Sequence, residues 1–229
     1  MSNFTHKPIE LNYDLSAQIT EAGRLYKTPD GNFYPSVTTF LGHFTSKSIE
    51  GWKKAVGEKE AKRVGHHAIT RGNAVHNTAE RYINNEVDYL VECTMPHVRQ
   101  MWQSLSAILD KSVDNVILQE CPLYSDNLLL AGRVDLIAEF DGVLSIVDFK
   151  TSSRVKSRDE ITSYFLQECA YALMFEERTG IVIDQLVTLM VVEGTNQSIV
   201  FIEDKKDWID LLKSRRDEYF AYLRENVKV

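Results

Sequence analysis

The 229 residues include 33 acidic and 26 basic side chains, a formal net charge of -7, with 44% hydrophobic and 26% charged positions. This is ordinary globular composition; it excludes extended disorder and a broadly basic surface of the kind that coats nucleic acid, so any polyanion partner must meet a local basic patch. No run approaches the roughly 18 apolar residues of a membrane span, and MSNFTHKPIELNYDLS has no basic segment leading into an apolar one, so no signal peptide, no membrane association and a cytoplasmic location are expected.

The length fits one domain with a single sizeable core. Its expected parts are a hairpin and helical region over residues 1–112 and a βββαββα region over residues 113–229. Cys93, Cys121 and Cys169 are far apart and lack the paired spacing of a zinc or iron–sulfur site, so they read as buried free thiols in a reducing compartment.

In RLYKTPDGNFYPSVTTFLG, Pro29, Asp30 and Gly31 form a turn between apolar flanks: proline sets φ and glycine permits a positive one. A small hairpin is predicted there. Ser36 then precedes VTTFLGHF as the cap of a short helix, its hydroxyl accepting from an unpaired amide. A helix is predicted over 48–64, with Trp52 and Val56 on one side. Lys53, Lys54, Lys59, Lys62 and Arg63 crowd the rest, as either a solvated face or a phosphate-tracking one. A second helix follows in TRGNAVHNTAERYINNE, where Val75, Ala79, Tyr82 and Ile83 make a buried stripe and His76 lies on another side.

MPHVRQMWQSLSAILDKS is a third amphipathic helix. Three strand-length runs come next, NVILQECPLY, LAGRVDLIAEF and VLSIVDFKT, rich in β-branched and aromatic residues. A helix over 158–179 ends at Gly180. The strands IDQLVTLMVVEG and QSIVFIED and a charged helix, KKDWIDLLKSRRDEYFAYLREN, close the chain. This order predicts an α/β fold, a mixed central β-sheet flanked by helices, with a helical N-terminal elaboration.

Asp141-Gly142 between two of these apolar runs is a strong signal for a two-residue hairpin turn. Phe140 then pairs with Val143, and counting outward puts Asp135 opposite Asp148. Directly opposed carboxylates repel. Period-two alternation puts Lys150 on the face of Asp148, with Val147 and Phe149 pointing the other way into the core. Two readings fit: a hard divalent cation such as Mg2+ relieves the repulsion, or Lys150 makes a cross-strand salt bridge to one of the aspartates. The salt bridge accounts for one carboxylate and leaves the other.

These residues resemble the PD-(D/E)XK nuclease signature, an acidic residue followed on the next strand by (D/E)-x-K, here Asp135 and Asp148-Phe149-Lys150. GRVDLIA, VDFKTSS, the Gly72-to-His76 stretch as G-x-x-x-H and the Gln167-to-Tyr171 stretch as Q-x-x-x-Y are similar to the RecB-type branch. PSVTTFLG is similar to a segment of the mitochondrial genome maintenance exonucleases and their phage relatives. The resemblance implies a restriction-endonuclease-like core and Mg2+- or Mn2+-dependent hydrolysis of DNA, preferring single strands or frayed ends, in phage or organellar replication, recombination or repair.

It further implies that Asp135, Asp148, His76 and the backbone carbonyl of Phe149 ligate metal, with Glu120 as a weaker candidate. Lys150 becomes the catalytic lysine, and Gln167 and Tyr171 share a helix face that touches the scissile phosphate or holds Lys150. Ser36 and Thr38 at a helix N-terminus, Trp52 as a stacking platform, and Lys53, Lys54, Arg71 and Arg154 are the candidate DNA contacts, joined by Lys62, Arg63, Lys156 and Arg158 as basic lining. Simple capping by Ser36, core packing by Trp52, plain packing of Tyr171 and a strand-end surface charge at Glu120 are the competing readings. No Walker motif is present, so a helicase, polymerase or single-strand-binding protein would be a separate partner. The alternatives are a structure-specific endonuclease and a non-catalytic DNA-binding subunit; intact Asp135, Asp148 and Lys150 weigh against the second.

Overall fold

Three short strands open the chain: β1 (Ser16–Thr20), β2 (Gly23–Lys27) and β3 (Phe33–Pro35), in an antiparallel sheet of that order. They belong to a computed structural model that describes residues 3–21 and 23–226. The β2–β3 turn is the expected one, with Gly31 at φ 84° and its N–H donating to Thr28 O. β1 was not expected, and its burial explains why: all five residues are exposed, so no apolar alternation marks it.

α1 (Val37–Val56) starts where Ser36 accepts from Thr39 N at 3.0 Å, as the capping reading requires. The helices are divided differently from expectation. α1 runs without a break through the predicted short helix and on to Val56, and α2 (Glu58–Ile83) absorbs both the rest of the 48–64 helix and the one after it. Gly57 separates them at φ 85°, a conformation glycine adopts at little cost, whereas Gly65 continues the helix. α3 (Pro96–Ser112) follows, with proline at its first position.

The main sheet has five strands in sequence order, β4 (Val113–Ser125), β5 (Leu130–Phe140), β6 (Val143–Ser152), β7 (Gln185–Val192) and β8 (Ser198–Asp204). Only β6 and β7 are parallel, as their connection through α4 (Thr162–Thr179) demands. α4 ends at Gly180 in the left-handed conformation, and α5 (Ile209–Asn226) closes the chain. The mixed α/β class and the βββαββα order are therefore as the sequence predicts.

Both faces of the sheet are covered, so its inner strands read as nearly continuous apolar runs. Ile137, Ile146 and Leu186 pack on one side with Phe40 of α1, Phe165 and Phe175 of α4 and Leu212 of α5. Leu136, Val147 and Val187 pack on the other with Val75 of α2 and Met101 and Leu105 of α3. Phe149, 2% exposed, joins this second layer and fixes the rotation of β6 so that Asp148 and Lys150 face the other way. Losing that anchor costs about 3–5 kcal/mol in a large-to-small core change.

Candidate active site

The Asp-Gly turn has the predicted register: Asp141 and Gly142 take φ 50° and 81°, and Phe140 pairs with Val143. The β5–β6 ladder, however, stops at Leu136 and Val147, one pair short of the expected Asp135–Asp148 pairing. Neither strand ends there. β5 stays bonded to β4 as far as Leu130, and β6 stays bonded to β7 as far as Ser152, so the sheet forks. In the mouth of the fork Phe149 N donates to Asp135 Oδ2 at 2.9 Å, replacing a ladder bond with a side-chain one.

Asp135 has a different cross-strand mate. Gln119 pairs with Leu136 and Cys121 with Val134, which leaves Glu120 facing Asp135 between them. Glu120 sits at φ 45°, a left-handed conformation that costs a non-glycine residue energy and is characteristic of strained functional positions. His76, on α2, brings Nδ1 to 3.4 Å from Asp135 Oδ2. One donor atom each from His76, Glu120 and Asp135 lie within 4.8 Å of one another.

On the α4 side, Lys150 Nζ lies 2.5 Å from Asp148 Oδ2, with side-chain exposures of 18% and 1%. This is no ordinary surface pair. Gln167 holds both partners: its Nε2 donates to Asp148 Oδ1 at 2.9 Å, and its Oε1 accepts from Lys150 Nζ at 3.3 Å. Tyr171, one turn on, is buried over Gly132; a Cβ on Gly132 would stand 2.7 Å from the ring. That contact explains the glycine of GRVDLIA. Beneath the pair, the buried Glu168 accepts a hydrogen bond from the Thr188 hydroxyl.

The electrostatics follow from burial and crowding. Burial, then repulsion from Asp135 and Glu80, pushes Glu120 up to about 7 against the pull of Arg133. Burial also pushes Asp148 up, with Lys150 pulling the other way and Asp135 adding to the rise. Burial drags Lys150 down, but attraction to Asp148 and Asp135 outweighs it and keeps the ammonium protonated. Glu168 rises well above the carboxylate range through burial and the nearby Asp148. The Tyr171 phenol is raised by burial and then by both aspartates. Several carboxylates converge here with one ammonium between them.

A divalent cation fits this set. The donors that come together are a carboxylate oxygen each from Glu120 and Asp135 and one imidazole nitrogen from His76, while the buried Asp148 Oδ2 is held by Lys150 Nζ. Oxygen-rich sites of this kind suit Mg2+ or Mn2+.

The fork opens into a cleft of about 460 Å3 lined by His76, Glu120, Asp135, Lys150, Gln167 and Tyr171, and also by Ser36 and Thr38. The Ser36 hydroxyl is engaged as the α1 cap and bonds Thr38 Oγ1 at 2.9 Å. Much of the expected basic lining lies elsewhere or is neutralised. Arg71 is buried and bonded to Glu193, Arg154 is paired with Glu160, Arg63 with Glu60 and Arg158 with Glu203. Lys156 donates to Tyr164 Oη. Trp52, 41% exposed, is not core; with the exposed Lys53 and Lys54 it lies on α1 away from the cleft lining.

Among the described residues the exposed cations lining the cleft are Arg24 and Arg133, the latter donating to Glu120 O at 3.1 Å; sequence reasoning missed both. Arg133 carried a signal, since it lies two residues before Asp135 and period two puts both on one face. Arg24 carried none, because only the tertiary docking of β2 brings it there.

Residues 113–186 match the family model of the PD-(D/E)XK nuclease superfamily. The matched span holds Glu120, Asp135, Asp148, Lys150, Gln167 and Tyr171 but not α2 with His76. Among solved structures, "Crystal structure of SSO0001" is similar at 10% identity and TM-score 0.35, covering 65% of this chain and 73% of that one. No curated protein matches the sequence.

Proposed function

We propose that the chain is a metal-dependent deoxyribonuclease that hydrolyses phosphodiester bonds, acting as an exonuclease on single-stranded or frayed DNA ends in replication, recombination or repair, in a phage or organellar setting. The observation that carries this is the convergence of His76, Glu120 and Asp135 donor atoms within 4.8 Å beside a lysine clamped by Asp148 and Gln167. The superfamily match over residues 113–186 supports the reaction class.

In this reading Asp135, Glu120 and His76 hold Mg2+ or Mn2+, with Asp148 and the Phe149 carbonyl completing the set. A bound cation of this type makes water a stronger nucleophile and clamps phosphoryl oxygens. Lys150 orients the attacking water and meets the negative charge that grows on the phosphate in the transition state. Gln167 positions Lys150 by bonding it and its counter-ion together, and Tyr171 packs α4 onto Gly132 so that this geometry holds. Arg24 and Arg133, with the Ser36 and Thr38 hydroxyls, contact the flanking phosphates. Trp52, Lys53 and Lys54 serve only strand segments that run beyond the cleft along α1.

Two features favour single strands and ends. The exposed cations Arg24 and Arg133 line the cleft rather than a broad face, and the formal net charge of -7 weakens adhesion to long duplexes. The test sets linear and circular, single- and double-stranded DNA side by side with Mg2+, Mn2+ or chelator, using wild type and Lys150→Ala. Metal-dependent loss of linear single strands, abolished by the substitution, is expected. Cleavage of circular single strands would instead select the endonuclease reading, and metal-independent digestion unaffected by the substitution would refute the chemistry.

A further inference from the structure

A second polar cluster lies on the opposite side of α2. His67 and His76 are nine residues apart, about 13.5 Å along the axis and half a turn around it. His67 Nε2 lies 3.0 Å from Glu193 Oε1 and 3.2 Å from Oε2. Glu193 belongs to the β7–β8 turn and is anchored there by its own N–H, which donates to Ser152 O at 2.8 Å. Arg71, four residues after His67 on the same helical face, donates to Glu193 Oε2. Burial opposes ionisation of Glu193, but the bonds from His67 and Arg71 prevail and hold its carboxyl below the usual range.

The third member is His97, in the first turn of α3, where Pro96 fixes the start of the helix. Its ring lies 5.2 Å from that of His67, centroid to centroid. Its Nε2 is buried and has no hydrogen-bond partner among the described residues. An ion pair between His67, Arg71 and Glu193 accounts for three of the four residues and leaves this atom unexplained. A buried nitrogen without a partner costs about 1–3 kcal/mol. One donor atom from each of His67, His97 and Glu193 falls within 4.8 Å of the others.

We propose that His67, His97 and Glu193 form a second cation site, distinct from the cleft, that takes a zinc-class divalent ion. Two imidazoles and one carboxylate suit Zn2+ better than Mg2+. Three protein ligands leave one position for water, the arrangement of an open zinc site. Arg71 occupies the other carboxylate oxygen and orients Glu193, the role such outer partners play around metals. The ion ties α2, α3 and the β7–β8 turn together at a junction that Gln100 Nε2 and Asn196 Oδ1 also bridge at 2.8 Å.

The test uses the full chain carrying Asp135→Asn, which disables the cleft donors, titrated with Zn2+ and, for its visible spectrum, Co2+. One ion per chain, a d–d absorption band and a raised melting temperature are expected. Adding His97→Ala, or the more exposed His67→Ala, should weaken binding by at least about 100-fold, the upper end of what losing an outer partner alone costs. The neighbouring His66→Ala should leave it intact. Absence of uptake by the Asp135→Asn chain, or equal binding by the His66, His67 and His97 variants, would overturn the site; neither outcome bears on nuclease activity.

Discussion

α2 carries two histidine–carboxylate clusters, and they solve opposite problems. Around His76 there is a surplus of negative charge: Glu120 faces Asp135, and Asp148 is buried nearby with one ammonium to serve it. Around His67 the carboxylate of the cluster, Glu193, is already paired with Arg71, and the unmet need is a nitrogen, His97 Nε2. Crowded oxygens call for a hard cation that exchanges readily with substrate phosphate. Orphaned imidazole calls for a borderline ion that holds elements together. In the two proposed roles, chemical type rather than the presence of histidine separates a site for reaction from one for clamping.

The largest effect that sharpens this contrast is Lys150→Ala. It should lower DNA hydrolysis by about 10²–10⁴-fold, the usual weight of a positioned proton-transfer group, while leaving Zn2+ uptake at His67 unchanged. Gel assay and metal titration on one preparation check both halves. Equal losses at both clusters would mean a folding defect and would erase the distinction.

Next is Gly132→Ala. The new methyl would meet the Tyr171 ring at 2.7 Å, so α4 must shift and with it Gln167. Overpacking of this kind costs about 1–3 kcal/mol. Thermal denaturation should show the loss, with a fall in hydrolysis larger than in the more conservative Tyr171→Phe.

The smallest effect is a pH dependence. Glu120 is raised from 4.5 to about 7 in the fold, so without metal its contribution to stability is full below pH 4.5 and is lost as pH rises through 7. Glu120→Gln should remove that decline and raise the metal-free melting temperature at pH 8 by roughly 2–4 °C, kept small because the group is partly solvated. A decline of the same size in the variant would show that the pH dependence arises elsewhere.

These clusters also differ in how far the sequence discloses them. Asp141-Gly142 fixes the hairpin register, and from it Asp135, Asp148 and Lys150 can be placed on one face, because turn chemistry and strand alternation are local rules. The fork is not local. Where β5 and β6 part depends on β4 and β7 pulling them to either side, so the ladder falls one pair short and Glu120, strained at φ 45°, becomes the partner of Asp135. Arg71 looked like a phosphate contact because Glu193, 122 positions away, gives no hint in sequence that it will neutralise it. The α1–α2 break likewise required choosing Gly57 over Gly65, which only the backbone conformation decides.

The most direct measurement is calorimetric titration of Mn2+ into the chain carrying His67→Ala, with and without Asp135→Asn. One binding event that the aspartate substitution eliminates is the result expected of a cation site at the fork. Identical heats in the two proteins would contradict it.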